Sequence, residues 1–155
     1  MLYLAITSII ITSVSGFLIT MLQARAKFQT ISEVEAQGEQ AMQVITQTIR
    51  NGTAVTSPAT GASGSSLTIT VPTGALSPSV FDLSGGVIRE TEGAGAAQNL
   101  TTTRVTASGL TFQNLTRSTT QGTVRVSFTI TSVNSSGRNE FSYTKTFRDT
   151  ATFRQ

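Results

Sequence analysis

The sequence of 155 residues contains no cysteine, no histidine and no tryptophan, and its aromatic content is 6%. Without cysteine there is no disulfide frame and no thiolate nucleophile. Without histidine as well, a Ser-His-Asp triad and the usual nitrogen- and sulfur-ligated zinc site are excluded. Charge is scarce too. Asp, Glu, Lys and Arg together make 12% of the chain, against roughly 25% in an ordinary soluble domain. Polarity comes instead from hydroxyls, with 28 Thr and 18 Ser. Threonine suits strands, so this composition points to β-structure with a neutral, contact-forming surface and away from a charged cytosolic enzyme. The net charge of +3 comes from eleven basic residues without a cluster, which does not support a nucleic-acid partner.

What the sequence does have is a long apolar beginning. The first charged residue is Arg25, and fifteen of residues 1–22 are apolar, the others being Ser, Thr and Gly16. As a helix such a run crosses a hydrocarbon core of about 30 Å. It is longer than the roughly 7–15-residue apolar stretch of a secretory signal and has no basic residue before it, although Ala24-Arg25-Ala26 mimics a cleavage site. As a plain anchor it has only Arg25 and Lys27 as flanking charges, which would hold the remainder of the chain inside the cell. A basic leader before Met1, since removed, resolves that conflict. Within the run, Ser8, Thr12, Gly16 and Thr20 recur at every fourth residue. With Ile9 and Phe17 beside it, this row of small side chains is the candidate surface for close helix–helix assembly.

The helical pattern continues past the apolar run. Ile31, Val34, Gly38, Ala41, Ile45 and Ile49 follow at spacings of three or four, separated by Glu and Gln, which predicts an amphipathic second half of the same helix. No proline occurs before Pro58, and Asn51-Gly52 suits a C-cap. One helix over about 2–50 is therefore expected: an apolar half at 1–24 for a membrane or filament core, and an amphipathic half at 25–52. Residues 53–66 read as a Gly/Ser/Pro loop, and 67–155 as an antiparallel β head. In the head, Leu67, Ile69 and Val71 alternate with Thr, and Ser84-Gly85-Gly86 separates two short strands as in a hairpin. Gly109 marks a bulge or bend in 104–115. Val124, Val126, Phe128 and Ile130 share one face of the clearest strand, paired with a run over 140–148 carrying Phe141, Tyr143 and Phe147. The stripe Ile31, Val34, Ala41, Ile45 and Ile49 is expected to cover the Val124–Ile130 face. The fold class is α+β, a long N-terminal helix packed against an antiparallel sheet.

A helix apolar in its first half and amphipathic in its second, followed by a loop and an antiparallel sheet, resembles the type IV pilins and pseudopilins. Met1-Leu2-Tyr3-Leu4-Ala5-Ile6 looks like the stretch after the G-F-T-L-I-E processing motif of many bacterial members. The segment Val44-Ile45-Thr46-Gln47-Thr48-Ile49-Arg50-Asn51 is similar to the end of the pseudopilin helix. The resemblance covers the architecture of the whole chain and, in sequence, residues 1 to about 52. It implies a structural subunit that leaves the inner membrane and packs its N-terminal helix with copies of itself into an extracellular helical filament, after processing by a prepilin peptidase and with the pilus assembly machinery as partner. Two features depart from the pattern: no leader is present, and position 5 is Ala5 where an acidic residue is usual. Either the mature protein carries a few further residues, the acidic one included, before Met1, which is the reading we favour, or this subunit aligns in the filament without that acidic pair. Thr12-Ser13-Val14-Ser15-Gly16 is the weakest helical stretch by propensity and is where unwinding in the assembled state is expected.

The alternatives are a pseudopilin of a secretion system, a single-pass anchored surface binding domain, and a secreted β-rich enzyme with a mature terminus near Lys27. For the last there is no catalytic constellation. Glu90 and Glu92 lie two apart but read as solvated loop acids, and Asp82, Glu140 and Asp149 lack calcium-loop spacing. No catalytic, metal or cofactor residue is assigned. Sequons at Asn51, Asn99, Asn114 and Asn134 are candidate glycosylation sites. Tyr3 reads as a packed ring, and Arg104, Arg117, Arg125 and Arg138 as solubilising charges unless the fold brings them together.

Overall fold

The computed structural model describes residues 2–117 and 122–154. A single helix, α1, runs from Leu2 to Asn51, about 75 Å at 1.5 Å per residue. It is unbroken through 12–16 in the isolated chain. The N–H of Gly52 returns to the carbonyl of Ile49 at 3.1 Å and ends it. The chain is α+β: beyond the helix it is almost wholly antiparallel strand.

The strands form two sheets. The first contains β1 (Ala54–Ser57), β3 (Leu67–Thr70), β4 (Ser79–Ser84), β5 (Val87–Glu92) and β6 (Gln98–Asn99), in the order β1-β3-β4-β5-β6. The second contains β2 (Ser63–Gly64), β7 (Val105–Asn114), β8 (Thr123–Ser132) and β9 (Thr144–Thr152), in the order β2-β7-β8-β9. Segment 53–66, expected as a loop, thus contributes one short strand to each sheet. Its side chains are mostly exposed, so backbone pairing, with Val55 opposite Ile69 and Gly64 opposite Phe112, creates these strands without an apolar alternation to announce them.

Local chemistry sets the remaining registers. Gly85 and Gly86, with φ of +58° and +78°, make the two-residue turn that places Ser84 opposite Val87. Gly109 (φ +62°) sits where the β7–β8 register shifts between Ser108 and Thr111. The shift exchanges the parity of β7: Val105 and Ala107 face inward before it, Leu110 and Phe112 after it. The final strand begins later than expected. Asn139–Phe141 is a single 3₁₀ turn, and Ser132 Oγ accepts the Tyr143 N–H at 2.9 Å while donating to the Phe141 carbonyl at 2.7 Å. Pairing with β8 therefore starts at Thr144 opposite Thr131. Phe147 is buried, Tyr143 half-buried, and Phe141 lies exposed in the turn.

One apolar cluster joins all three layers. The helix supplies Val34, Ala41, Met42, Ile45 and Ile49; the first sheet Leu67, Ile69, Phe81 and Ile88; the second Val105, Phe112, Val124, Val126, Phe128, Ile130 and Phe147. Ile31 is only half-buried, at the edge of the seam. The closest approach is at Gly38, where an added Cβ would lie 2.1–2.7 Å from the Phe147 ring. That ring stacks on Phe128 with centroids 5.5 Å apart and has little room to yield. Gly38→Ala should therefore destabilise the head by up to about 2 kcal/mol in denaturant unfolding of the full chain in detergent, because overpacking costs about 1–3 kcal/mol against a helix-propensity gain of about 1 kcal/mol. Gly16→Ala, with nothing within 4 Å, should raise the helix content of the isolated chain. Equal effects at the two positions would contradict this packing.

Candidate functional site

Every described side chain from Tyr3 to Arg25 is exposed. Twelve large apolar residues between Tyr3 and Leu22 are involved, among them Tyr3 at 85%, Ile9 at 68% and Phe17 at 68%. Tyr3, expected as a packed ring, has no partner within the single chain's core. The bare segment projects about 35 Å from the head. At about 1.5–3 kcal/mol for each such side chain fully buried, and with each already partly covered by its own helix, covering this segment is worth on the order of 10–20 kcal/mol. That equals or exceeds the whole stability of an ordinary domain. The apolar half-helix is long enough to cross a membrane, and either lipid or other apolar helices can satisfy it.

Four of the six Ser and Thr hydroxyls in this segment are bonded to the helix's own backbone. Thr7 Oγ1 donates to the Tyr3 carbonyl at 2.7 Å, Ser8 to Ala5 at 2.9 Å, Thr12 to Ser8 at 2.8 Å and Thr20 to Phe17 at 2.8 Å. A dry environment therefore leaves none of these four donors unpaired, which removes the penalty of burying them. The row Ser8, Thr12, Gly16 and Thr20 is a depression on the helix surface, and Ser8, Ile9, Thr12 and Ser13 line a shallow hollow of about 380 Å³. Gly16 precedes Val34 by eighteen residues, five turns at 3.6 residues per turn, so Gly16 faces the side over which the head projects, and the row winds past it by about 40° per step.

Polar ties fix the second half of the helix to the head. Lys27 Nζ donates to the carbonyls of Asn139 and Ser142 at 3.2 and 2.5 Å. Glu33 pairs with Arg104 at 3.5 Å and Glu35 with Lys145 at 2.7 Å. Gln37 Oε1 accepts the Thr102 N–H at 3.2 Å, and the Arg154 N–H reaches the Arg50 carbonyl at 2.9 Å. The hydrogen bond to Glu35 raises the Lys145 ammonium above its ordinary value.

The other candidates are dispersed. Glu90 and Glu92 do share one face of β5, but Glu90 is half-buried and accepts the Thr48 hydroxyl at 3.2 Å. Among the described residues, the groups that act on Glu90 are the Glu92 charge and the Thr48 hydroxyl. Among the described residues, no group of three His, Cys, Asp or Glu could hold a metal. Asn114 is 2% exposed, donating to the Pro58 carbonyl at 2.9 Å and accepting the Thr116 N–H at 3.1 Å, so that sequon is closed in the folded chain. Asn51 and Asn99 are exposed, and Asn134 donates to the Arg138 carbonyl at 2.8 Å. Arg125 lies on the outer face of the second sheet beside Gln113, and Arg117 is exposed after β7. Arg104 and Arg138 are both found around Phe141: Arg104 lines a cleft of about 410 Å³ with it, and the Arg138 guanidinium stands 5.9 Å from its ring. Their separation in sequence hid this.

No family model matches the chain, and no curated protein or solved structure matches it either. Its surface and fold therefore carry the functional argument.

Glu90 supplies a test of the seam. Burial raises its pKa above the ordinary 4.5, the Glu92 charge adds to the rise, and the Thr48 hydroxyl opposes it. Between 4.5 and the raised value the folded chain binds more protons than the unfolded one, so stability falls as pH rises through that window. Glu90→Gln keeps an acceptor for Thr48 and should stabilise the head at pH 7 while flattening this dependence. Loss of stability at pH 7, measured by denaturant titration, would show that the carboxylate is instead held favourably.

Proposed function

We propose that this chain is a structural subunit of a type IV pilus or related extracellular filament, without a catalytic role, which waits in the inner membrane and then assembles through its N-terminal helix. The observation that carries this reading is the unbroken helix of which one half is packed on the head and the other half is bare. An anchor needs only to end at the membrane surface; here the same helix continues for some 25 residues as the spine of the head, so neighbours that cover the bare half also set the spacing of the heads. The row of small residues, with its hydroxyls bonded to the helix's own backbone, supports close packing of copies in a dry filament core. The resemblance of residues 1 to about 52 to pilins and pseudopilins supports the same reading and brings with it a prepilin peptidase and an assembly machinery as partners.

The reading is tested by replacing Ser8, Thr12, Gly16 and Thr20 with Leu. Filament yield at the cell surface should fall by more than about tenfold, equivalent to about 1.4 kcal/mol, while the circular dichroism and unfolding midpoint of the head stay unchanged. A single-pass anchored binding domain predicts the opposite: wild-type levels in the membrane fraction, no filaments from either chain, and unaltered surface display.

A further inference from the structure

Beyond Leu22, four large apolar residues are exposed among the described residues: Phe28, Leu76, Val133 and Phe141. Two of them, Val133 and Phe141, line a cleft where the helix leaves the head, and Phe28 lies at a similar height on another face of the helix. Phe28 follows Lys27, whose ammonium holds the 139–142 turn. Val133 and Phe141 line the cleft with Ala26, Thr30 and Arg104. Arg25 and Lys27 lie at the same level of the helix, and Arg138 stands beside Phe141. The acids at this level, Glu33 and Glu140, are each already paired, with Arg104 and Arg138 respectively, so the collar retains a net positive charge. Arg138 stays 57% exposed in its side chain and keeps guanidinium donors for a further acceptor.

The heights also match. From Leu22 to Phe28 the helix climbs about 9 Å, and the polar layer on one side of a bilayer is about 5–8 Å thick. With the apolar run filling the hydrocarbon, Arg25 stands within the headgroups and Phe28 near their outer boundary. Aromatic and aliphatic side chains mixed with cations are the chemistry that this layer accepts.

We infer that the collar of Phe28, Val133 and Phe141, with Arg25 and Arg138, seats the head on the headgroup layer of an anionic bilayer before assembly. Phe141, in the turn that Lys27 holds, meets the outer boundary of the headgroups with Val133 beside it, and the two guanidiniums bind lipid phosphate. This rests on the membrane-inserted state in the reading above and adds to it a defined orientation: the head lies against the membrane and does not swing on its helix.

The absence of tryptophan makes each introduced tryptophan the only one in the chain. Full-length Phe17→Trp, Phe141→Trp and Leu76→Trp chains are reconstituted in vesicles of phosphatidylcholine and phosphatidylglycerol, with lipids brominated close to the headgroup or deep in the acyl chain as quenchers. Phe17→Trp should be quenched by the deep label. Phe141→Trp should shift to the blue and be quenched by the shallow label, and Arg25→Gln with Arg138→Gln should reverse this. Leu76→Trp should remain water-exposed. Phe28→Trp reads the same layer from the helix itself if Phe141→Trp disturbs the turn. Quenching at position 17 with positions 28 and 141 behaving like 76 would overturn the collar and leave membrane insertion standing. No quenching at position 17 would overturn both. Shielding of 141 only in assembled filaments would make a second copy the occupant and overturn the lipid assignment.

Discussion

One helix has to satisfy two surroundings with a single rotation, and the rest of the structure depends on that constraint. No break separates the halves of α1, so the packing of Val34, Ala41, Ile45 and Ile49 against the sheets also fixes the direction in which Ser8, Thr12, Gly16 and Thr20 point. Gly38 admits the Phe147 ring to the helix surface, and the Lys27, Glu33 and Glu35 ties hold the turns around it. Exposed ion pairs contribute only about 0–1 kcal/mol each, so the apolar seam supplies the energy and the charges set the register. Orientation worked out in the head is thereby carried along one unbroken helix to a surface that has no partner among the described residues.

The hydroxyl-rich composition serves this arrangement in more than one place. In the bare half-helix, the hydroxyls of Thr7, Ser8, Thr12 and Thr20 turn back onto their own backbone and so need no water partner. On the outer face of the second sheet they pair across strands, Thr129 with Thr146 at 2.9 Å and Thr131 with Thr144 at 3.0 Å, each such pair being worth roughly 0.2–1 kcal/mol. In the filament proposed above, a head surface with so few charges would impose little repulsion between neighbouring heads.

Much of the fold was legible in the sequence because its signals were periodic. The 3.6-residue stripe marked the buried helix face, and the strict alternation of Val124, Val126, Phe128 and Ile130 marked β8. Gly85-Gly86 announced its hairpin because two adjacent positive φ angles leave few other residues eligible. What escaped reading had no periodic trace. The strands β1 and β2 exist through backbone pairing with mostly exposed side chains. The start of β9 was displaced from 140 to 144 because Ser132 bridges the turn with its hydroxyl, an interaction invisible in a pattern of apolar residues. Asn114 looked like a surface sequon, but the parity change at Gly109 turns it inward. The row of small residues could be read directly; the internal bonding of its hydroxyls, and the convergence of Arg104 and Arg138 on Phe141, arise only from the folded chain.

The central claim is that copies of this chain cover one another's bare helices. It is tested most directly by microscopy of material sheared from the native cell surface, combined with peptide mass spectrometry of the same sample. The account predicts thin filaments in which this chain dominates and from which peptides covering residues 3–24 are recovered. Filaments lacking the chain, with the protein retained in the membrane fraction, or a shed head beginning near Lys27, would contradict it.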